Sequence, residues 1–211
     1  MNLDAAIGVY VIAKEAIRQS RFNAEINWQA SLNSEAFSES QLIRECAWVI
    51  LCSGFRESVV RRHFPFITTC FCDWESCEAI CREAALCRVT ALTVFGNERK
   101  IEAILNAAAY ISRVGFLDFK KHILDDPLPA LAQLPFIGKV TAKHLAKNLG
   151  FDIAKPDRHL ERLACFTGHA HVQDLCTQIS NVTGDPVRVV DLVLWRFLEQ
   201  TGSKKLAEPS S

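Results

Sequence analysis

Leu134-Pro135-Phe136-Ile137-Gly138-Lys139-Val140-Thr141-Ala142-Lys143-His144-Leu145-Ala146-Lys147-Asn148-Leu149-Gly150, with Lys155-Pro156-Asp157-Arg158-His159-Leu160-Glu161-Arg162 close behind it, is the stretch on which the fold turns. It reads as a tight turn, an amphipathic helix, a short loop and a second helix. Pro135 fixes one backbone angle, and Gly138 permits a conformation that residues with a Cβ resist. Helical spacing puts Val140, Ala142, Leu145, Ala146 and Leu149 on buried sides. It puts Lys139, Lys143 and Lys147 on a solvated stripe at i, i+4 and i+8. Gly150 is placed to end the helix in a left-handed conformation.

A glycine turn feeding a helix N-terminus points unpaired N–H groups and a positive dipole end outward, which suits phosphate. With three lysines on one stripe, a nucleic-acid backbone is a fitting ligand. A plain surface hairpin with solvated lysines fits the same residues. Pro156 disfavours helix at Lys155 and leaves Asp157 at or beside the start of the next helix. An aspartate in that place is most often a helix cap.

Together, Leu-Pro-x-Ile-Gly-x-x-Thr-Ala over 134–142 and Asp-x-His-Leu-x-Arg over 157–162 resemble the signature of the helix-hairpin-helix DNA glycosylases. That superfamily includes endonuclease III, the adenine glycosylase of mismatch repair and the alkyladenine and 8-oxoguanine glycosylases. No strand alternation is read anywhere in the chain, so the expected fold is all-α, and the resemblance implies two helical lobes with an active-site cleft between them. The first and last helices would form one lobe and the middle of the chain the other. The resemblance also implies that Asp157 is the catalytic aspartate, and that Phe136, Gly138, Lys139, Thr141, Lys143, Lys155 and Arg158 face DNA. The family usually has Gly where this chain has Phe136. The Schiff-base lysine of its bifunctional members falls at Val140, and Lys139 stands one residue early, about 100° around the helix. A monofunctional enzyme that leaves an abasic site without nicking the strand is therefore expected.

In glycosylases of this resemblance a helix-to-helix corner supplies a side chain that wedges into the gap left by the flipped base. The corner here is Cys52-Ser53-Gly54-Phe55-Arg56-Glu57-Ser58, and the usual polar wedge position falls at Ser53 or Gly54. Phe55 or Arg56 is then the candidate wedge, since aromatic and cationic groups stack on exposed bases. A plain corner with Phe55 buried is the alternative. Trp48, Val140 and His144 are the further candidates for a base pocket. His144 lies one turn past Val140 on the same side of the helix, although a lone helical histidine is more often structural.

Composition sets the bounds. At 211 residues, 49% of them apolar, the chain is long enough to bury a real core and is not read as disordered. Its formal net charge of zero argues against non-specific coating of a polyanion. Basic residues still cluster at Arg56/Arg61/Arg62/His63, Arg99/Lys100 and Lys120/Lys121, which suits an enzyme that grips DNA at one place. Nine cysteines, an odd number, and no signal peptide point to a reducing cytoplasm. Cys70, Cys72, Cys77, Cys81 and Cys87 crowd together without CxxC spacing, so they are read as small buried hydrophobes in preference to a metal site. Only Cys165 and Cys176 follow Asp157, too few for the four-cysteine iron–sulfur loop of some endonuclease III relatives. No metal and no cofactor are expected, apart from a structural monovalent cation that the hairpin could hold.

In chain order, helices are expected over Leu3–Arg18 (with Ile7, Val11, Ala13 and Ile17 apolar), Glu39–Cys52 behind a Ser38 cap, and from Ser58 to His63. Others are expected over Asp73–Leu86, Glu98–Ser112, Asp118–Leu124, Pro127–Gln133, His159–Thr167, Val172–Val182 and Val187–Glu199. Asp185 is the expected cap of the last. Asn23 to Glu39 reads as loop, with Trp28 and Phe37 as anchors. Residues 1–203 are taken as one glycosylase domain of two non-contiguous lobes and 204–211 as a flexible tail. The expected activity is base-excision repair: a monomeric DNA glycosylase that flips a damaged or modified base from duplex DNA and hydrolyses its N-glycosidic bond, with no membrane association. An N-glycosidase acting on RNA or a free nucleoside, and a DNA-binding module without catalysis, are the alternatives.

Overall fold

The computed structural model describes residues 2–201; the expected tail at 204–211 lies outside them. Among these residues the chain is all-α, with no strand. The helices are α1 (Leu3–Arg18), α2 (Asn23–Ser31), α3 (Glu39–Cys52), α4 (Glu57–Cys70), α5 (Cys77–Arg82), α6 (Ala84–Val94) and α7 (Glu98–Val114). They continue with α8 (Phe116–Asp125), α9 (Pro127–Leu131), α10 (Lys139–Asn148), α11 (Arg158–Phe166), α12 (Val172–Thr183) and α13 (Val187–Thr201). The chain divides into two compact units. One joins the residues up to Leu32 with those from Gly150 onward, and the other runs from Asn33 to Leu149.

In the discontinuous unit, α13 packs against α1, α2, α11 and α12. Its valines and leucines are buried on nearly every side, as befits a central helix. The face that α1 buries is Ala6, Tyr10, Ala13 and Ile17, while Val11 points to solvent. Ala13 and Ile17 are buried as expected, while the first turns bury Ala6 and Tyr10 in place of Ile7 and Val11. Asp185 does not cap α13: its carboxylate accepts from the Tyr10 hydroxyl at 2.7 Å and from Lys14 at 2.6 Å, tying α1 to the start of α13.

Residues 23–31 are helix rather than the expected loop. Nothing within α2 explains this, since Phe22 at its start offers no side-chain cap. The explanation lies on α13. Buried Arg196 binds Glu25 through two nitrogens, at 2.8 and 3.0 Å. Arg188 donates to the carbonyls of Gln29 and Leu32, filling acceptors that a helix end leaves open.

In the continuous unit, α7 packs against α3, α5, α6 and α8. Ser38 and Gln41 form a reciprocal cap at the start of α3. Helix α4 runs on through Pro65 to Cys70, past the expected end at His63, with Phe64 and Ile67 buried on either side of the proline. The expected single helix over 73–86 is broken. Cys72, Asp73 and Trp74 have φ of 54°, 50° and 60°, a left-handed turn, after which Ser76 caps α5 and α6 begins anew. Trp74 is anchored there by stacking on Phe71, with ring centres 5.1 Å apart, and by donating to the Thr68 hydroxyl. Cys46, Cys77 and Cys87 are buried, and burial pushes the Cys87 thiol up to about 12. Among the described residues no three His, Cys, Asp or Glu side chains are grouped to hold a metal ion, and no helix is long and apolar enough to cross a membrane.

Candidate functional site

The hairpin joins α9 to α10 within the continuous unit. Leu134 and Ile137 are buried and anchor the turn from both sides. The Ile137 N–H donates to the Leu134 carbonyl at 3.1 Å. With Pro135 second and Phe136 third at φ 69°, this is a type II turn, whose third place needs a positive φ. Gly138 instead has φ −95° and ψ −177°, extended backbone that any residue adopts. The glycine-like conformation expected at Gly138 therefore belongs to Phe136, the position where the resembled family usually has glycine. A residue with a Cβ in that region is strained by about 1 kcal/mol or more.

Gly138 starts α10 in another way. Its N–H donates to the Thr141 hydroxyl at 2.6 Å, which in turn donates to the Gly138 carbonyl at 3.0 Å. Thr141 thereby consumes one amide, and the first-turn amides of Lys139 and Val140 have no helical carbonyl to bind. Both residues are exposed, Val140 by 49%, so Val140 does not belong to the buried side expected for it.

The lysine stripe is not a solvated one. Lys139 is exposed, Lys143 half-buried and Lys147 buried, as α10 turns into the unit. His144 is half-buried. At the far end of the helix, Asn148 donates to the buried carboxylate of Glu45 on α3 at 2.9 Å, and Arg44 pairs with the other oxygen. Burial pushes the Glu45 carboxyl above the usual glutamate range, against the opposing pull of Arg44 and Asn148.

The expected basic patches also thin out. Lys100 is 3% exposed and is no partner for Arg99 on the surface. Its ammonium donates to the Ser53 carbonyl at 2.7 Å and to that of Ile50, where α3 ends. Burial holds that ammonium below the ordinary lysine value. Lys120 donates to the Phe37 carbonyl and lies over the Phe37 ring. At the corner after α3, Gly54 takes φ 76°, and Phe55 and Arg56 are exposed. Phe55 is not buried as a plain corner would have it; its ring lies 5.2 Å from that of Phe95. Trp48 is half-buried and packs edge-on against Phe64, with Arg61 over its face.

Asp157 lies in the discontinuous unit and caps α11. Its Oδ1 accepts from the amides of His159 at 2.9 Å and Leu160 at 3.0 Å. Both bonds use Oδ1, so Oδ2 takes no part in the cap. The loop leading to it is pinned twice. The Ala154 amide donates to Gln173 on α12 at 2.8 Å, and the Lys155 amide donates to Asp191 on α13 at 2.7 Å. Gly150 has a positive φ of 96° where α10 ends, as expected of it. Lys155 is half-buried; Arg158 is exposed beside the His159 ring.

Sequence reading missed Glu45, Gln173 and Asp191, and it placed Lys100 in a surface patch. Asp191 carried one signal: it is the one charge inside the apolar run from Val189 to Trp195, where a buried acid needs a donor.

No protein-family model and no curated protein matches the chain. Among solved structures it is similar to the 8-oxoguanine glycosylase/lyase of Methanocaldococcus jannaschii, crystallised with a 15-mer DNA containing 8-oxoguanine. The TM-score is 0.56 at 18% identity, covering 91% of this chain and 98% of that one. That likeness extends over nearly all of both chains and shows the fold.

Proposed function

We propose that the chain, built on that fold, is a DNA glycosylase that removes a damaged or modified base by hydrolysis. The observation that carries the reading is Asp157: a carboxylate with one oxygen fixed by two helix amides and the other left over, on a loop held by Gln173 and Asp191. The similar structure with 8-oxoguanine DNA supports DNA as the substrate.

In this reading the duplex backbone meets the first-turn amides of α10 and the exposed Lys139, with Lys143 adding charge, and Arg158 in the other unit offers a separate cationic contact. A base inside a duplex is out of reach, so the target nucleotide is turned out, at a cost of a few kcal/mol that damage lowers. As the bond between the sugar C1′ and the base nitrogen breaks, positive charge grows on the sugar. Oδ2 of Asp157 stabilises that charge. It also accepts a hydrogen bond from the attacking water, whose oxygen bonds to C1′ as its proton is lost to the carboxylate. The base departs with the bonding electron pair and takes up a proton.

The absence of a lyase step is part of the proposal and rests on Val140 standing where the resembled family's lyase lysine would be. The test is base release from a panel of duplexes, each with one modified base, analysed with and without alkali. Breaks that need alkali and vanish in Asp157→Asn support the reading. Breaks without alkali, with an imine trapped by borohydride and lost on changing Lys139 or Lys155, overturn the monofunctional part. Release from RNA or nucleosides alone overturns the substrate.

A further inference from the structure

Three unfavourable choices meet at one place in the continuous unit. Lys100 is a buried ammonium, and burying a charge is costly against an apolar residue of similar size. Phe136 holds a strained backbone that glycine would adopt freely. Phe55 and Phe136 leave 43% and 40% of their surfaces in water, forgoing the burial that large rings ordinarily obtain. The Lys100 ammonium lies 5.4 Å from the centre of the Phe55 ring and 4.9 Å from that of Phe136, within cation–π range of both. It also grips the carbonyls of Ile50 and Ser53, just before Phe55. One buried group therefore connects the α3–α4 corner to the hairpin turn. The carbonyl grip holds the end of α3, but it does not account for two exposed rings gathered on one buried cation, and local rules broken together mark functional places.

We propose that Lys100 is a positioning residue that fixes Phe55 and Phe136 as one aromatic edge, on which bases beside a gap in the stack come to rest. The proposal rests on the glycosylase reading and names the part of the protein that recognises unstacked DNA. Rings stack on any base, so the edge is sensitive to a missing or extruded nucleotide and not to sequence. Because Lys100 is buried, it acts through the two rings and not on phosphate.

The test uses the full chain and two duplexes of one sequence, intact or with a tetrahydrofuran abasic analogue at the centre. Binding is measured for wild type, Lys100→Met, Phe136→Ala and the double variant, with melting temperature as the check on folding. Each single change is expected to weaken abasic-duplex binding about tenfold, the scale of one lost stacking contact, and to weaken intact-duplex binding by much less. The double variant is expected to be no worse than the weaker single one, since both act through one arrangement. The salt dependence of Lys100→Met is expected to match wild type, because no phosphate contact is lost. Wild-type binding by a folded Lys100→Met, losses that multiply, or a shallower salt dependence would each overturn the proposal. If Lys100→Met fails to fold, the same cycle on exposed Phe55 and Phe136 decides. Wild-type protein that binds both duplexes alike removes the glycosylase reading itself, and this inference with it.

Discussion

The loop from Gly150 to Asp157 in the discontinuous unit and the turn from Leu134 to Gly138 in the continuous one are both short and both figure in the proposed function, yet they are held in opposite ways. The loop is fixed by acceptors: side-chain oxygens of Gln173 and Asp191 take up its amides, and Asp157 takes up the amides after it. Its one positive φ falls on a glycine, Gly150. The turn carries its positive φ on Phe136, whose ring lies on a buried cation. The loop is thus relaxed and over-determined, as suits the role proposed for its carboxylate. The turn holds strain, which is found where binding offsets it.

Four measurements break or sharpen that contrast. The largest effect is expected from Asp157→Asn. Asparagine caps a helix as well as aspartate does, so the fold should persist while base release falls by about 100-fold or more. A similar loss of melting temperature and activity would mean the aspartate is only a cap. Next comes Asp191→Ala, which leaves the Lys155 amide without its acceptor. Denaturant unfolding should show a loss of roughly 1–3 kcal/mol, and a neutral result would show the loop to be held elsewhere.

Glu45→Gln tests the far end of the hairpin helix. The Glu45 carboxyl titrates above its unfolded value of 4.5, so its contribution is fully present below that pH and is lost as pH rises through the folded value. Glutamine keeps an acceptor for Asn148 and carries no charge to bury. The melting temperature of the variant relative to wild type should therefore climb as pH rises above about 4.5. A flat difference would deny that the buried charge is costly. The smallest effect is expected from Phe136→Gly. Relief of about 1 kcal/mol of strain is opposed by the lost ring contact and the greater freedom of the unfolded glycine. A change of several kcal/mol in either direction would show that the turn is not in the balance described.

Much of the fold was legible in the sequence because its signals are local. Ser38 before Glu39 and Asp157 before Arg158 each mark a helix start that the structure contains. The all-α class followed from such starts and from helical periodicity. What could not be read is what depends on partners distant in sequence. Residues 23–31 are helical because of Arg188 and Arg196, more than 150 residues away. Lys100 and Lys147 resemble surface lysines until the elements that cover them are known. The positive φ of the hairpin was sought at Gly138 because glycine takes it most easily, and Phe136 occupies it instead. For Asp157 the sequence offered two roles, cap and catalyst. The structure contains the first and leaves an oxygen for the second.

The interrupted unit also dictates an order of synthesis. Tyr10 and Asp185, which tie α1 to the start of α13, lie 175 residues apart. Closing so long a loop adds little to the free-energy cost, which grows only with the logarithm of length, but it takes time on a growing chain. All the residues of the continuous unit have been made once the ribosome has added Leu149. The N-terminal helices must then wait, with Ala6, Tyr10 and Ile17 uncovered, until α13 is finished. The hairpin is therefore built early, and the loop that aims Asp157 is fastened last, when Asp191 arrives to accept the amide of Lys155. A chain stalled between those two events would carry the hairpin without the pinned carboxylate.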